Sequence, residues 1–300
     1  MSDNLYIIDL SSFAHAGAVN KYSFIEGPIQ KEISGWRSFT CPTGGASLIL
    51  TSMLPHLESD FLVCCDRNPT IKKEMLPTYK NNRQHKREIE VQKTIAERIL
   101  QDIGVPLLYK DGYEADDFIY SAVQAYKGMY KHIYVLTGDS DLYFLVDDNV
   151  TILPSNSRAK TVTRENFEYT VVKNQMTPYN TLTMSKIMGG DTSDCIPPLP
   201  VELRQHLYYI FIQGGARAVA ANKKHVRDIV AARVPEALSQ VDLVFPLDVE
   251  VPLSVECHID PDKLVAWGKA VKNKRFNNYA STYDVRPKVK ELIEEGLYVD

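Results

Sequence analysis

No apolar run in this sequence approaches the roughly 18 residues needed to cross a bilayer, which excludes a membrane-spanning helix. The first residues, MSDNLYIIDL, lack a basic segment followed by an apolar one, so no secretory signal is expected. Cysteines are few and odd in number: Cys41, Cys64, Cys65, Cys195 and Cys257, with neither a C-x-x-C pair nor a Cys/His zinc spacing. That excludes a disulfide scaffold and a zinc finger, and implies thiols in a reducing, cytoplasmic compartment. A basic excess is missing too, because the formal net charge is −4. The chain is therefore not a uniformly basic nucleic-acid coat. Internal repeats, low-complexity segments and flexible linkers are also missing.

What is present is unevenly distributed charge. Between Arg67 and Arg98 nine Lys/Arg stand against four Glu. Much of the acidity sits elsewhere, at nine carboxylates in short motifs, so neutralising those would leave the remainder net positive. At 300 residues, with 44% hydrophobic composition, the chain can bury a full core.

The N-terminal part alternates strand and helix patterns. LYIIDL (Leu5–Leu10), FLVCCD (Phe61–Asp66), Val105–Tyr109 and HIYVLT (His132–Thr137) read as short buried strands. Between them, Thr43 precedes a helical pattern over Gly44–Leu57, and Glu88–Asp102 reads as a helix stopped by Gly104. From Glu114, the apolar residues Ala115, Phe118, Ile119, Ala122, Val123 and Tyr126 recur at helical spacing. Such alternation implies a mainly parallel α/β sheet. After about Asn174 the pattern turns helical, with Tyr179–Met188, Val201–Ile212 and Lys223–Ala232 as helices.

Asp9, Asp66 and Asp139 each fall at the C-terminal end of an expected strand, the edge where open α/β sheets bind ligands. Glu114, Asp116 and Asp117 open a helix, Asp141 follows Asp139 by two, and Asp191 and Asp194 are three apart. An isolated Asp after a strand is usually a turn or cap residue. Acids at a helix start complement its dipole. Converging so many is another matter, since two unit charges 4 Å apart repel by roughly 4 kcal/mol at an effective dielectric near 20. Divalent cations make such a pocket sensible, and all-oxygen ligation selects hard ions such as Mg²⁺ or Mn²⁺. A calcium loop at Asp139–Asp141 would need a Gly and a later Glu that are missing.

Together these segments resemble the 5′ nuclease family: flap endonucleases, the 5′ nuclease domain of bacterial DNA polymerase I, and phage exonuclease and ribonuclease H relatives. The stretches that carry the resemblance over residues 5–200 are IDLSS (Ile8–Ser12), PTGG (Pro42–Gly45), CDR (Cys65–Arg67), YKNNR (Tyr79–Arg83), GYEADD (Gly112–Asp117), TGDSDLYFLV (Thr137–Val146) and KIMGGDTSDCIP (Lys186–Pro197). It implies a first metal site at Asp9, Asp66, Glu114, Asp116 and Asp117, with Asp117 shared, and a second at Asp139, Asp141, Asp191 and Asp194. Two Mg²⁺ ions, replaceable by Mn²⁺, are implied as cofactors. Tyr79, Lys80 and Arg83 fall where the family has a helical arch that grips the 5′ strand. Lys86 and Arg87 extend that nucleic-acid-binding stretch, and Lys186 matches a basic residue near the scissile phosphate in phage members. Lys80, Arg83 and Lys186 are thus implied catalytic residues. On a helix, Lys80 and Arg83 would share one face, and Tyr79 would offer a ring for base stacking. One departure stands out: no Gly-x-Gly hairpin follows Asp194, which leaves duplex binding to Lys223, Lys224 and Arg227 or to none of them.

The expected architecture is an α/β, PIN-like 5′ nuclease fold with a mainly parallel central sheet and a helical C-terminal region. Residues 1–175 would form the core, with an arch near 68–100. Residues 176–300 would form a DNA-binding region packed on it. The expected activity is two-metal hydrolysis of phosphodiesters at 5′ ends, flaps or nicks of DNA or RNA–DNA hybrid by a monomer, alongside replication proteins, in a bacterial or phage-infected cytoplasm. A non-catalytic branched-DNA scaffold is the alternative, although all nine matched positions keep their acid. A small PIN-type ribonuclease would leave Asp191 and Asp194 unexplained. A haloacid-dehalogenase-type phosphatase needs an Asp where Ser11 stands.

Overall fold

The computed structural model describes residues 2–18, 43–83, 87–155, 160–166, 188–207, 223–271 and 273–294. Strand β1 (Asn4–Asp9) is buried along nearly its whole length, as a strand covered on both faces must be, and it sits at the centre of a five-stranded sheet. The order is β3-β2-β1-β4-β5, with β2 at Asp60–Cys64, β3 at Leu107–Leu108, β4 at His132–Thr137 and β5 at Val150–Pro154. Every pairing is parallel, and Ile8 lies opposite both Val63 and Leu136. The expected strand over Val105–Tyr109 contracts to two ladder residues. Pro106 has no N–H to contribute, although its carbonyl still accepts from Val63 N at 3.0 Å. Strand β5 was not anticipated from the sequence.

The chain builds the sheet outward from β1 in both directions, so strand order reverses between β1 and β4. At such a switch point a crevice opens outside the carboxyl ends of the strands. Asp9 and Asp139 flank it.

Helices α1 (Leu10–Ala18), α2 (Gly44–Met53), α3 (Thr70–Met75), α4 (Arg87–Ile103) and α5 (Ala115–Tyr126) follow in order. Helix α2 stops short of the expected Leu57, because Pro55 tightens the chain into a 3₁₀ turn over Leu54–His56. Helix α4 is stopped by Gly104, as expected. Period-two alternation sorts each strand between two cores. Leu5, Ile7, Leu62, Cys64, Ile133 and Val135 face α5, α6 (Lys223–Arg233) and α7 (Leu238–Val244). Tyr6, Ile8, Phe61, Val63 and Leu136 face α1, α2, α4 and α8 (Pro261–Ala270). A last helix, α9 (Arg286–Glu294), adds Leu292 to this second core.

Helices α1 and α2 cross so closely that a Cβ on Gly17 would lie 2.0 Å from Gly45 N. Only glycine permits this crossing, which fixes the helix that starts directly after Asp9.

The C-terminal part is helical, as expected. The helix expected over Val201–Ile212 is seen at 201–207, and the rest of it lies outside the described residues. Of Tyr179–Met188, only Met188 is described. Among the described residues no helix is long and apolar enough to cross a membrane.

Candidate active site

The crevice at the switch point widens into a cavity of about 1350 Å³. Eight of the nine predicted acids line it: Asp9, Asp66, Glu114, Asp116, Asp139, Asp141, Asp191 and Asp194. They come from five separate stretches of chain, and the parallel sheet brings four of those stretches together by aligning strand ends and the α5 start.

Asp9 ends β1 and is buried. Its Oδ2 accepts from Thr137 Oγ1 at 2.8 Å and Ser12 Oγ at 2.5 Å, and its Oδ1 from Ser12 N at 3.2 Å. Thr137 Oγ1 also accepts from Asp139 N at 2.9 Å, and Ser12 Oγ accepts from Gly138 N at 2.9 Å. Two hydroxyls thus lock the end of β1 to the end of β4. Burial, reinforced by the nearby Asp66 charge, pushes the Asp9 carboxyl up to about 6 against the opposing pull of those hydrogen bonds. Asp66 accepts from Ser11 Oγ and, at 2.9 Å, from Ala115 N, tying β2 to the start of α5. Lys93 Nζ approaches it to 3.7 Å. Asp116, on the first turn of α5, has its carboxyl raised well above the ordinary range by burial and then by Asp139, Asp9 and Glu114. Asp139 caps the 3₁₀ turn Ser140–Leu145 by accepting from Asp141 N at 2.9 Å.

Asp191 and Asp194 sit in a tight turn rather than on a helix. Asp191 and Ile196 exchange both backbone hydrogen bonds, at 2.9 and 2.8 Å, closing a tight hairpin. Asp191 Oδ1 accepts from Ser193 N at 2.7 Å and Ser193 Oγ at 2.6 Å inside it. Gly190 enters this hairpin at φ +74°, where a Cβ would meet Ile196 O at 2.5 Å. The glycine is obligatory there.

Asp117 alone of the nine does not line the cavity. It is fully buried outside the cavity, and its oxygens accept from Glu114 N at 2.9 Å, Leu247 N at 2.7 Å and Lys72 Nζ at 3.0 Å. Glu114 carries three donors: Lys72 Nζ at 2.8 Å, Tyr79 OH at 2.9 Å and Lys80 Nζ. Burial alone would raise its carboxyl, but Lys72 and Lys80 outweigh that and hold it well below the usual range. Burial likewise works against the Lys72 ammonium, and Glu114 with Asp117 reverses the sign and raises it.

Lys80 and Arg83 lie in turns after α3 rather than on a helix. Pro77 and the left-handed Lys80, at φ 54°, do not continue the helical path. Both side chains line the cavity; Lys80 reaches Glu114, and Arg83 NH2 reaches Asp194 Oδ1 at 2.7 Å. Lys80 N also donates to Asp194 O at 3.2 Å. Tyr79, expected as an exposed stacking ring, is only 3% exposed because its hydroxyl is drawn inward to Glu114. Arg87 begins α4. Lys86 and Lys186 lie outside the described residues.

Among the described residues no group of three or more His, Cys, Asp or Glu side chains forms a ready-made metal cage. The donor set still suits a hard divalent cation: it is all carboxylate oxygen, gathered on one cavity. Sequence reasoning assigned no role to Ser12, Thr137, Lys72 or Lys93. Ser12 and Thr137 do stand inside the IDLSS and TGDSDL motifs, three and two residues from the acids they serve.

A parallel sheet with carboxylates gathered at its switch point is the PIN-like fold of 5′ nucleases. Residues 5–175 match the family described as 5′-3′ exonuclease, N-terminal resolvase-like domain, and the chain belongs to that family. DNA polymerase I of Mycobacterium tuberculosis is 32% identical over 175 residues, covering 57% of this chain and 19% of that protein. DNA polymerase I of Pseudomonas aeruginosa is 27% identical over 239 residues, 74% of this chain and 25% of that one. The chain thus spans only about a fifth to a quarter of the curated relatives it matches. The bacteriophage T5 5′-exonuclease, solved with bound zinc, shares the fold at TM-score 0.55 and 17% identity, over 97% of this chain and 98% of that one. The bacteriophage T5 flap endonuclease in a pseudo-enzyme-product complex with DNA and metal ions does so at TM-score 0.53, with the same identity and coverage.

Proposed function

We propose that this chain is a divalent-metal-dependent 5′ nuclease that hydrolyses phosphodiesters at 5′ ends, flaps or nicks of DNA or RNA–DNA hybrid. The observation that carries this reading is the convergence of eight carboxylates on one cavity whose rim carries Lys80 and Arg83. The names of its relatives, a DNA polymerase, an exonuclease and a flap endonuclease, agree with it.

Asp9, Asp66 and Asp116, with Glu114 beside them, would hold one Mg²⁺ or Mn²⁺ ion; Asp139, Asp141, Asp191 and Asp194 would hold a second. When bound, such ions activate water and neutralise charge on the phosphate being cut. The protein's own side chains do the rest. Ser12 and Thr137 keep Asp9 and Asp139 in register. Lys80 and Arg83, once they release Glu114 and Asp194, are within reach of a phosphate that enters the cavity, and Lys80 lies over the Tyr79 ring at 4.9 Å. Tyr79 braces that cation rather than stacking a base. Residues 1–175 form the nuclease core in this reading, and the C-terminal helices take duplex on the same monomer, which works alongside replication proteins.

The test uses end-labelled flap, nicked and RNA-primed duplexes with Mg²⁺, with product lengths read on a gel. Cutting from the 5′ side that stops in chelator and returns with Mg²⁺ or Mn²⁺ is expected. Tight binding of the branched substrates with no cutting in any divalent ion would leave a scaffold instead.

A further inference from the structure

Lys72 is the most deeply buried cation among the described residues; it lines the cavity, and the proposed chemistry does not use it. It projects from α3, is 3% exposed, and ends between Glu114 Oε2 at 2.8 Å and Asp117 Oδ1 at 3.0 Å. Glu114 caps α5, and Asp117, three residues on, accepts from Glu114 N. These two acids and the ammonium therefore form one closed unit at the start of the helix that carries Asp116. Water has almost no access to it: Glu114 is 5% exposed and Asp117 0%. Two carboxylates three residues apart on a buried helix start need a positive charge between them, and the sequence supplies one covalently.

We infer that Lys72 is a resident cation of the acidic centre, one that withdraws Asp117 from the exchangeable metal site and aligns α5 so that Asp116 faces it. The inference rests on the reading that the cavity takes divalent ions. The GYEADD acids then divide by role. Asp117 belongs to the fold, Asp116 to the exchangeable ion, and Glu114 joins the two through its second oxygen, which Lys80 reaches. The start of α5 keeps its charge balance whether or not the cavity is loaded. Without Lys72, Glu114 and Asp117 would be buried charges short of a partner, and stability would come to depend on an ion from solution.

Two measurements on the full chain test this. The first is thermal unfolding in chelator of the wild type, Lys72→Met, Asp117→Asn and the pair combined. Lys72→Met should lower the midpoint by about 10 °C, as for breaking a buried ion pair in a chain this size. Adding Asp117→Asn should recover at least half of that loss, and Mn²⁺ should raise the midpoint of Lys72→Met more than that of the wild type. A Lys72→Met chain that folds only when Asp117→Asn accompanies it supports the inference equally. A single variant as stable as the wild type, or no recovery in the pair, overturns it. The second is calorimetric Mn²⁺ binding. Asp117→Asn should stay within about twofold of wild-type affinity, whereas Asp116→Asn should lose about tenfold or more. Equal losses in both would make Asp117 a ligand and overturn the inference. A wild type that binds no Mn²⁺ would instead defeat the proposed nuclease chemistry, while the unfolding series would still decide the role of Lys72.

Discussion

Burial disfavours the charge of Asp116, and Asp139, Asp9 and Glu114 add repulsion, so its carboxyl is raised well above the ordinary range. A carboxylate held in that state costs stability, which the ion proposed to bind it would offset. Replacing it with asparagine keeps the shape and removes the cost. Asp116→Asn is therefore expected to raise the unfolding midpoint in chelator by a few degrees while lowering single-turnover cleavage by orders of magnitude. A variant that is destabilised, or that still cuts, would return Asp116 to the ordinary first-turn acid of a helix. The acids themselves were legible in the sequence, because ends of buried strands and starts of amphipathic helices can be read from periodicity. Their partners were not. Periodicity reports which residues are buried and says nothing of which polar atoms meet. Thr137 looks like any strand-ending threonine until the register sets it against Asp9, and Lys72 looks like one more member of a basic run.

At the scale of elements, four strands and the helices α2, α4 and α5 follow the expected order, α1 and α3 were not anticipated, and the other departures have local causes. Proline trims β3 and ends α2. The Asp191–Ile196 hairpin escaped notice because an i, i+3 spacing of acids fits a helical turn and a tight hairpin equally well. A row of rings also crosses one face of the sheet: Tyr6 stacks on Tyr134 at 4.7 Å, on Phe61 at 5.2 Å and on His56 at 4.7 Å, and His132 packs against Tyr134 at 4.5 Å. Burial lowers both histidines from the ordinary 6.5, since it disfavours the imidazolium. The unfolded chain then binds protons first, so their contribution to stability is complete above about pH 6.5 and is lost as pH falls through the lowered folded-state values. Urea midpoints between pH 8 and pH 5 should fall less steeply for His56→Phe combined with His132→Phe than for the wild type. Parallel curves for the two proteins would show that the row does not sense protons.

For the molecule as a whole, the family match ends at residue 175 but the cores do not. Leu203, Val226 and Val241 complete one face of the sheet, and Leu264, Trp267 and Phe276 the other. Trp267 is buried and donates from Nε1 to Asp102 Oδ2 at 2.9 Å at the end of α4. Trp267→Ala is expected to cost about 3–5 kcal/mol of unfolding free energy by urea titration. A loss below about 1 kcal/mol would mark the C-terminal helices as a loose appendage. That helices follow residue 174 was readable from the sequence. Which sheet face each one covers was not, since amphipathic helices carry no address. The central place of β1 has a further consequence, in the order of synthesis. Leu5 finds Asp60 early but Ile133 only after some 70 more residues have been made, roughly 4–15 s at ordinary elongation rates. For that interval the buried central strand offers an open edge to whatever is near, and Trp267 seals the second core later still. A nascent chain of this topology is a natural client for the chaperones that wait at the ribosome exit.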